Sequence, residues 1–423
     1  MPTRQLMENI WGSAAPVRRA AAPRMWTGRS LAGLAIAAFV AGVGGGVPGG
    51  GIPGGTAPGG AAGGMRLVSH VQAGQATGPA CGWAVVQAPS PPADSLLNGV
   101  ATRSSADAWV VGGSRSAEGD TISALIEHWD GTAWRVVPRP TPGQSSVLSG
   151  VAIASASNAW AVGSYEGNTA PRHDQTLIEH WNGRSWNRVP SPHPGGERWL
   201  TAVAVVSSRN AWAVGAYANQ VGGRNKLFTV HWNGKTWRQV PVPVTASGVL
   251  YAVAATSWSD VWAVGNAVNG VTQVVILHWN GRGWTRAPYR GPAGSSYLTG
   301  VTATSTRDAW AVGTIVRGTD AGPAFTVRWT GRKWQRVPIQ DADTTHLSAV
   351  TAVSSRDAWA VGGSADHTVV EHWDGTKWAT GPSPAPGVSS GLTSVAASSA
   401  SNVWAVGSYH VVPNDLTLAL HCT

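Results

Sequence analysis

Twelve histidines occur in the chain. Six of them share one recurring place: His128, His180, His231, His278, His372 and His421, each directly before a Trp or, at the last, before Cys422. Arg328 stands at the same place in the fifth repeat. A row of imidazoles invites a metal reading, because neutral imidazole is a common ligand. A metal, however, needs its ligands about 2 Å away. Equivalent positions of packed sheets stand about 10 Å apart or more. One ion cannot be shared, so the row is expected to be structural, each His bonded to a neighbouring strand or blade. Glu127, Glu179 and Glu371 precede three of these His. They fall on separate repeats, too far apart for an acid–base pair. Asp107, Asn158, Asn210, Asp260, Asp308, Asp357 and Asn402 each stand two residues before a recurring Trp. They are expected to be turn formers bonded to their own backbone. No cofactor is expected, and no resident metal.

Chemistry that differs from repeat to repeat is more informative. Tyr165, Glu166, Arg172, His173 and Asp174 fall on one variable link. Glu197, Arg198 and Trp199 fall on the next, and Tyr217 and Arg224 on the one after. Aromatic rings with carboxylates and Arg suit a ligand surface for a glycan or a protein. Trp199 lies outside the repeat register, so it is expected to be an exposed anchor.

The element that positions all of these is a unit repeated seven times. Its mark is a Trp followed three residues later by Gly: Trp109/Gly112, Trp160/Gly163, Trp212/Gly215, Trp262/Gly265, Trp310/Gly313, Trp359/Gly362 and Trp404/Gly407. The Trp-to-Trp spacings are 51, 52, 50, 48, 49 and 45. Nine residues before each Trp stands a Val, preceded by Gly, Ala or Ser. Such small residues suit a crowded position near an axis. Each unit reads as four short strands, the last two joined at an Asn-Gly or Asp-Gly pair. That pair predicts a type I′ hairpin, which needs φ > 0. Four antiparallel strands about every 50 residues predict an all-β fold, a seven-bladed β-propeller of four-stranded antiparallel blades. One blade cannot bury both faces, so the Trp rows are expected to form the core between blades.

The seventh unit ends after its third strand. Trp83 to Pro89 matches Trp134 to Pro138 of the first unit, so the N-terminal strand is expected to complete the last blade. In that register Cys81 faces Cys422 across an interrupted hairpin. Cross-strand Cβ atoms are about 4.5–5.5 Å apart, which suits a disulfide. Exported proteins meet an oxidising compartment.

Val-Gly-Gly after Trp109 and Trp359, together with Trp129-Asp130-Gly131-Thr132-Ala133-Trp134, resembles the kelch-type repeat and the galactose-oxidase-like propeller. The unit is also similar to the Asp-Ala-Trp-Ala-Val-Gly repeats of secreted bacterial propellers. The resemblance covers about residues 80–423 and implies the fold. Here a Trp replaces the usual Tyr, and most units carry one Gly. The copper-radical chemistry of galactose oxidase needs a Cys joined to a Tyr, and both cysteines are assigned to the closure. No sialidase-type Ser-x-Asp-x-Gly-x-Thr-Trp box or phosphate loop occurs.

The formal charge is +9, of which residues 1–64 carry +4. The rest is spread over many loops, with no basic stripe carrying interleaved aromatics, so no nucleic acid is expected as partner. Four Lys against 26 Arg points to a GC-rich, bacterial genome. Leu31 to Val43 is a short apolar run after Arg24 and Arg29, fitting a signal-peptide core in residues 1–43. Met25 offers a start that would give a leader of ordinary length. Residues 44–79 read as a Gly/Pro/Ala-rich linker and 80–423 as the propeller. Membrane contact is expected only if residues 1–43 are retained as an anchor. These features predict a monomer outside the cell or in its envelope, a binding scaffold for an extracellular glycan or protein. The alternatives are a polysaccharide-acting lyase or hydrolase at the axial funnel, and a structural envelope component.

Overall fold

In the computed structural model, the described residues are 81–423, apart from 90, 92–93, 117–120, 141, 144, 169–172, 193–194, 221 and 318–319. The expected leader and linker, and Arg172, lie outside them. The described residues form seven four-stranded antiparallel sheets arranged as a propeller. Blade 1 runs Ser95–Ser104, Asp107–Arg115, Ile122–Trp129 and Trp134–Val136. Blades 2 to 6 repeat that order. Blade 7 takes Ser389–Ser399, Asn402–Val411 and Asn414–Cys422 from the end of the chain, and Trp83–Val85 from its beginning. Trp83 pairs with Cys422 and Val85 with Leu420, as the repeat register predicts.

The Trp rows build the core between blades. Each recurring Trp meets, edge to face, the fourth-strand Trp of the next blade. Trp109–Trp186, Trp160–Trp237, Trp212–Trp284 and Trp262–Trp334 have centroids 5.1 Å apart, and Trp310–Trp378 5.0 Å. The closure obeys the same rule, with Trp359–Trp83 at 5.6 Å and Trp404–Trp134 at 4.9 Å. T-shaped pairs place a positive ring edge on a negative face, which adds about 0.5–1.5 kcal/mol beyond the buried area. The chain therefore uses one contact seven times, and the N-terminal strand supplies the Trp that blade 7 lacks.

Each first strand carries a bulge just before its small residue. The bulged side chain reaches the following blade: Asn98 Nδ2 donates to Leu148 O at 2.8 Å, and Thr299 Oγ1 to Leu347 O at 2.8 Å. Thr393 Oγ1 donates to Leu97 O at 2.6 Å, across the seam between blades 7 and 1. Crowding explains the small residue itself, for a Cβ on Gly150 would sit 3.1 Å from Ala202 Cα.

One expectation is corrected. Trp129 pairs with Trp134, so the hairpin holds residues 130–133 and is not a two-residue type I′ turn. Gly131 takes φ 94°, while Asp130 keeps an ordinary φ. Asp130 Oδ1 accepts the backbone N–H groups of Thr132 and Ala133 at 2.9 and 3.0 Å. Asn182 does the same for Arg184 and Ser185. The Asx side chain caps the loop, so only the glycine needs the left-handed region.

Candidate functional site

Two kinds of connection divide the ring into two faces. The turn between strands one and two lies beside the hairpin between strands three and four. The indole N–H ending strand three donates to that turn in six blades: Trp129 to Ser105 O, Trp181 to Ala156 O, Trp232 to Ser208 O, Trp279 to Trp258 O, Trp329 to Thr306 O and Trp373 to Ser355 O, at 2.9–3.2 Å. These short elements make the constant face. The links between strands two and three, and the blade connections, make the opposite, variable face.

The variable face holds the residues singled out for binding. At the rim of blade 2, Glu166 pairs across strands with Asp174. Tyr165 OH donates to Gln175 Oε1 at 2.7 Å and accepts from Arg188 Nη2, whose guanidinium also lies 4.3 Å from the ring centre. At the rim of blade 3, Arg198 pairs with Tyr217. Glu197 Oε2 accepts the Gly222 N–H at 3.3 Å, tying the blade connection to the next loop. Lys226 Nζ lies 5.9 Å above the Tyr217 ring. Arg224 is exposed, and Glu166, His173, Glu197 and Tyr217 are half-buried. Arg172 lies outside the described residues.

Exposure separates the rest from that group. Tyr165, Asp174 and Arg198 are buried. Trp199 is only 5% exposed and packs on Ala216, Val249 and Tyr251. The expectation of an exposed Trp199 is corrected. It starts the first strand of blade 3 (Arg198–Ser207), and a side chain there points into the gap between blades.

A groove of about 360 Å³ opens between blades 3 and 4 on the variable face. Its lining includes Arg224, Asn225, Lys226, Ser247 and Asn269. Asn225 O accepts from both Ser247 Oγ and Gly248 N at 2.9 Å, which joins the two sides. The lining offers two exposed cations, amides and hydroxyls, and no carboxylate. Of the residues expected from sequence, only Arg224 lines it. Lys226, one of four lysines, was the signal available for the remainder.

The histidines serve packing. His128 Nε2 meets Asp107 Oδ1 at 2.9 Å, His180 meets Asn158 at 2.8 Å, His278 meets Asp260 at 2.7 Å, His372 meets Asp357 at 2.9 Å and His421 meets Asn402 at 2.7 Å. Each ring also lies on the recurring Trp of its own blade, 3.9–4.3 Å between centroids for these five. Arg328 substitutes in kind, with Nε 2.7 Å from Asp308 Oδ1 and its guanidinium over Trp310. Six of the seven Asp/Asn side chains thus reach strand three of their own blade, while Asn210 Oδ1 has no partner among the described residues. This corrects the expectation that they bond their own backbone. Burial lowers the pKa of His180, His231 and His421.

Three buried glutamates differ in partner. Glu179 Oε1 accepts from Arg139 Nη1 at 3.0 Å, and Glu371 Oε1 from Thr380 Oγ1 at 2.7 Å. Glu127 is fully buried, and neither of its carboxyl oxygens has a partner among the described residues. Burial pushes its pKa from 4.5 up to about 8. The folded state therefore holds a proton that the unfolded chain releases above pH 4.5. The stability this proton provides is complete below pH 4.5 and is lost as pH rises through 8. The loss reaches on the order of 3 kcal/mol at pH 7. Blades 4 and 7 carry Leu277 and Leu420 at this place. Glu127→Leu should therefore raise the melting temperature at pH 8 far more than at pH 5. An equal gain at both values would refute a neutral buried carboxyl.

No family model matches this chain, and no curated protein matches it in sequence. Solved structures do. A structure of YCF48 bound to a D1 peptide superposes with a TM-score of 0.53 at 14% identity, covering 81% of this chain and 96% of that one. YCF48 from Cyanidioschyzon merolae gives 0.50 at 16% identity, covering 80% and 98%. A six-bladed fucose-binding lectin of Aleuria aurantia gives 0.45 at 13%, covering 70% and 97%. The likeness to YCF48 establishes the fold.

Proposed function

We propose that the protein is a monomeric binding scaffold outside the cell or in its envelope, holding a protein or glycan segment on its variable face. The observation that carries this reading is the groove between blades 3 and 4, where Arg224 and Lys226 stand exposed beside amides and hydroxyls. Glu166, His173, Glu197 and Tyr217 extend the same face towards blade 2. Repeat packing dictates the strands and short turns, so recognition is left to loops that differ between blades. A propeller holding a peptide has a precedent in YCF48 with its D1 peptide. The disulfide fits an oxidising compartment. The resemblance of the Asp-Ala-Trp-Ala-Val-Gly repeat to those of secreted bacterial propellers supports the same reading. Two cations in a groove select acidic or hydroxyl-rich groups, since charge-assisted hydrogen bonds are the stronger ones.

Glycan arrays and capture from culture supernatants with the full chain would identify the ligand. Arg224→Ala with Lys226→Ala should then weaken binding by on the order of 30-fold. A confirmed ligand that binds this variant normally would place recognition elsewhere.

A further inference from the structure

The constant face has a chemistry that the repeat does not require. Six blades put a small residue at the first position of the turn between strands one and two: Ser105, Ala156, Ser208, Thr306, Ser355 and Ala400. Blade 4 has Trp258 there, 64% exposed. Its ring lies beside the hairpin of its own blade, where a Cβ on Gly281 would come within 2.9 Å of it. Trp258 takes no part in the Trp contacts between blades, so packing does not account for it.

Cations stand on the same face in its own blade and in the two neighbouring ones. The turns and hairpins of blades 3, 4 and 5 present Arg209, Lys235, Arg282, Arg307, Arg332 and Lys333, all exposed. Their side chains make no ion pair or hydrogen bond among the described residues. The acids in these three blades' turns, Asp260 and Asp308, are buried and engaged by His278 and Arg328. Exposed acids such as Asp341, Asp343 and Asp366 belong to the variable face. The constant face of blades 3 to 5 is therefore positive, while the exposed Asp130 and Asp374 stand in the hairpins of blades 1 and 6.

The described chain also enters the propeller at this face. Cys81 occupies the place of a hairpin residue, next to the end of strand three. The segment 44–80 and the apolar run Leu31 to Val43 precede it.

We propose that the constant face of blades 3 to 5 docks on an anionic lipid bilayer, with Trp258 seated among the headgroups and the six cations against their phosphates. An exposed indole flanked by Lys and Arg suits the interface, which accepts an apolar ring and a polar N–H together. Short turns leave a shallow face that matches a flat partner. The variable face then points away from the membrane, free for its own ligand.

The test uses the full chain with vesicles of equal parts phosphatidylcholine and phosphatidylglycerol, and with vesicles of phosphatidylcholine alone. Wild type should bind the anionic vesicles more strongly, and salt should weaken that binding. Each neutralised cation removes about fivefold, so Arg209→Gln, Lys235→Gln and Arg282→Gln together should lower partition on the order of 100-fold. Trp258→Ala should lower it about tenfold. Brominated acyl chains should quench wild-type fluorescence more than that of Trp258→Ala, a difference that residues 1–80 cannot supply because both proteins share them. Arg209→Lys with Arg282→Lys should retain binding and so verify that charge is the cause. Equal partition of wild type and the triple variant, or equal quenching with and without Trp258, would overturn the proposal. So would a face that binds an acidic polysaccharide or nucleic acid but neither vesicle. The groove variant should bind vesicles normally, which keeps this result separate from that of the variable face.

Discussion

Replacing Cys422 by serine should lower the stability of the ring by about 5 kcal/mol without changing its strand content. The bond joins residues 341 apart in sequence, with Cα atoms 5.5 Å apart. A crosslink over so long a loop removes much of the freedom of the unfolded chain. The folded state needs it too. The closing strand is only Trp83–Val85, extended by Val86 N donating to Ala419 O at 2.9 Å. Three residues cannot offset much ordering entropy by themselves. Blade 7 also lacks the indole-to-turn bond of the other six, because Cys422 stands where they have Trp. Denaturant unfolding followed by circular dichroism should show a lower midpoint for the variant, and for reduced wild type an equal fall. Mass mapping of the oxidised protein that found two free thiols would sink the idea, as would unchanged midpoints.

Trp199→Ala should cost about 3–5 kcal/mol, the range for truncating a large buried aromatic side chain. Trp199 closes one end of the gap between blades 3 and 4 against Ala216, Val249 and Tyr251. Tyr251 in turn meets Tyr297 of blade 5, with centroids 5.9 Å apart. Removing the indole leaves a cavity that two sheets cannot close, because their spacing is set by the Trp ring around the whole propeller. A melt resolves this from a binding role. An exposed stacking residue would lose ligand at an unchanged melting temperature, whereas a packing residue lowers the midpoint with no ligand present. An unchanged melt would mean that the gap relaxes or that the ring is solvated.

The repeat makes the fold legible in the amino-acid sequence alone. Seven Trp/Gly pairs with near-constant spacing predict blades, because each strand's packing partner is the same position one unit away. The interrupted last unit and the unmatched Trp83 predict the closure and the pairing of Cys81 with Cys422 by the same logic. The His row is legible as structural, since equivalent blades hold it too far apart to converge. Its partners are not, because Asp107 and His128 meet across strands 21 residues apart. Trp199 shows the limit more sharply. Absence from the repeat register says that a side chain does no repeated task, and says nothing about exposure. Trp199 and Trp258 look alike on that criterion, yet one is buried at the start of a strand and the other protrudes from a turn. The positive face is equally hidden. Arg209, Arg282 and Arg332 are tens of residues apart in sequence, so no basic stripe appears there. The propeller returns every short turn to one side, and that geometry brings the cations of blades 3 to 5 together on one face.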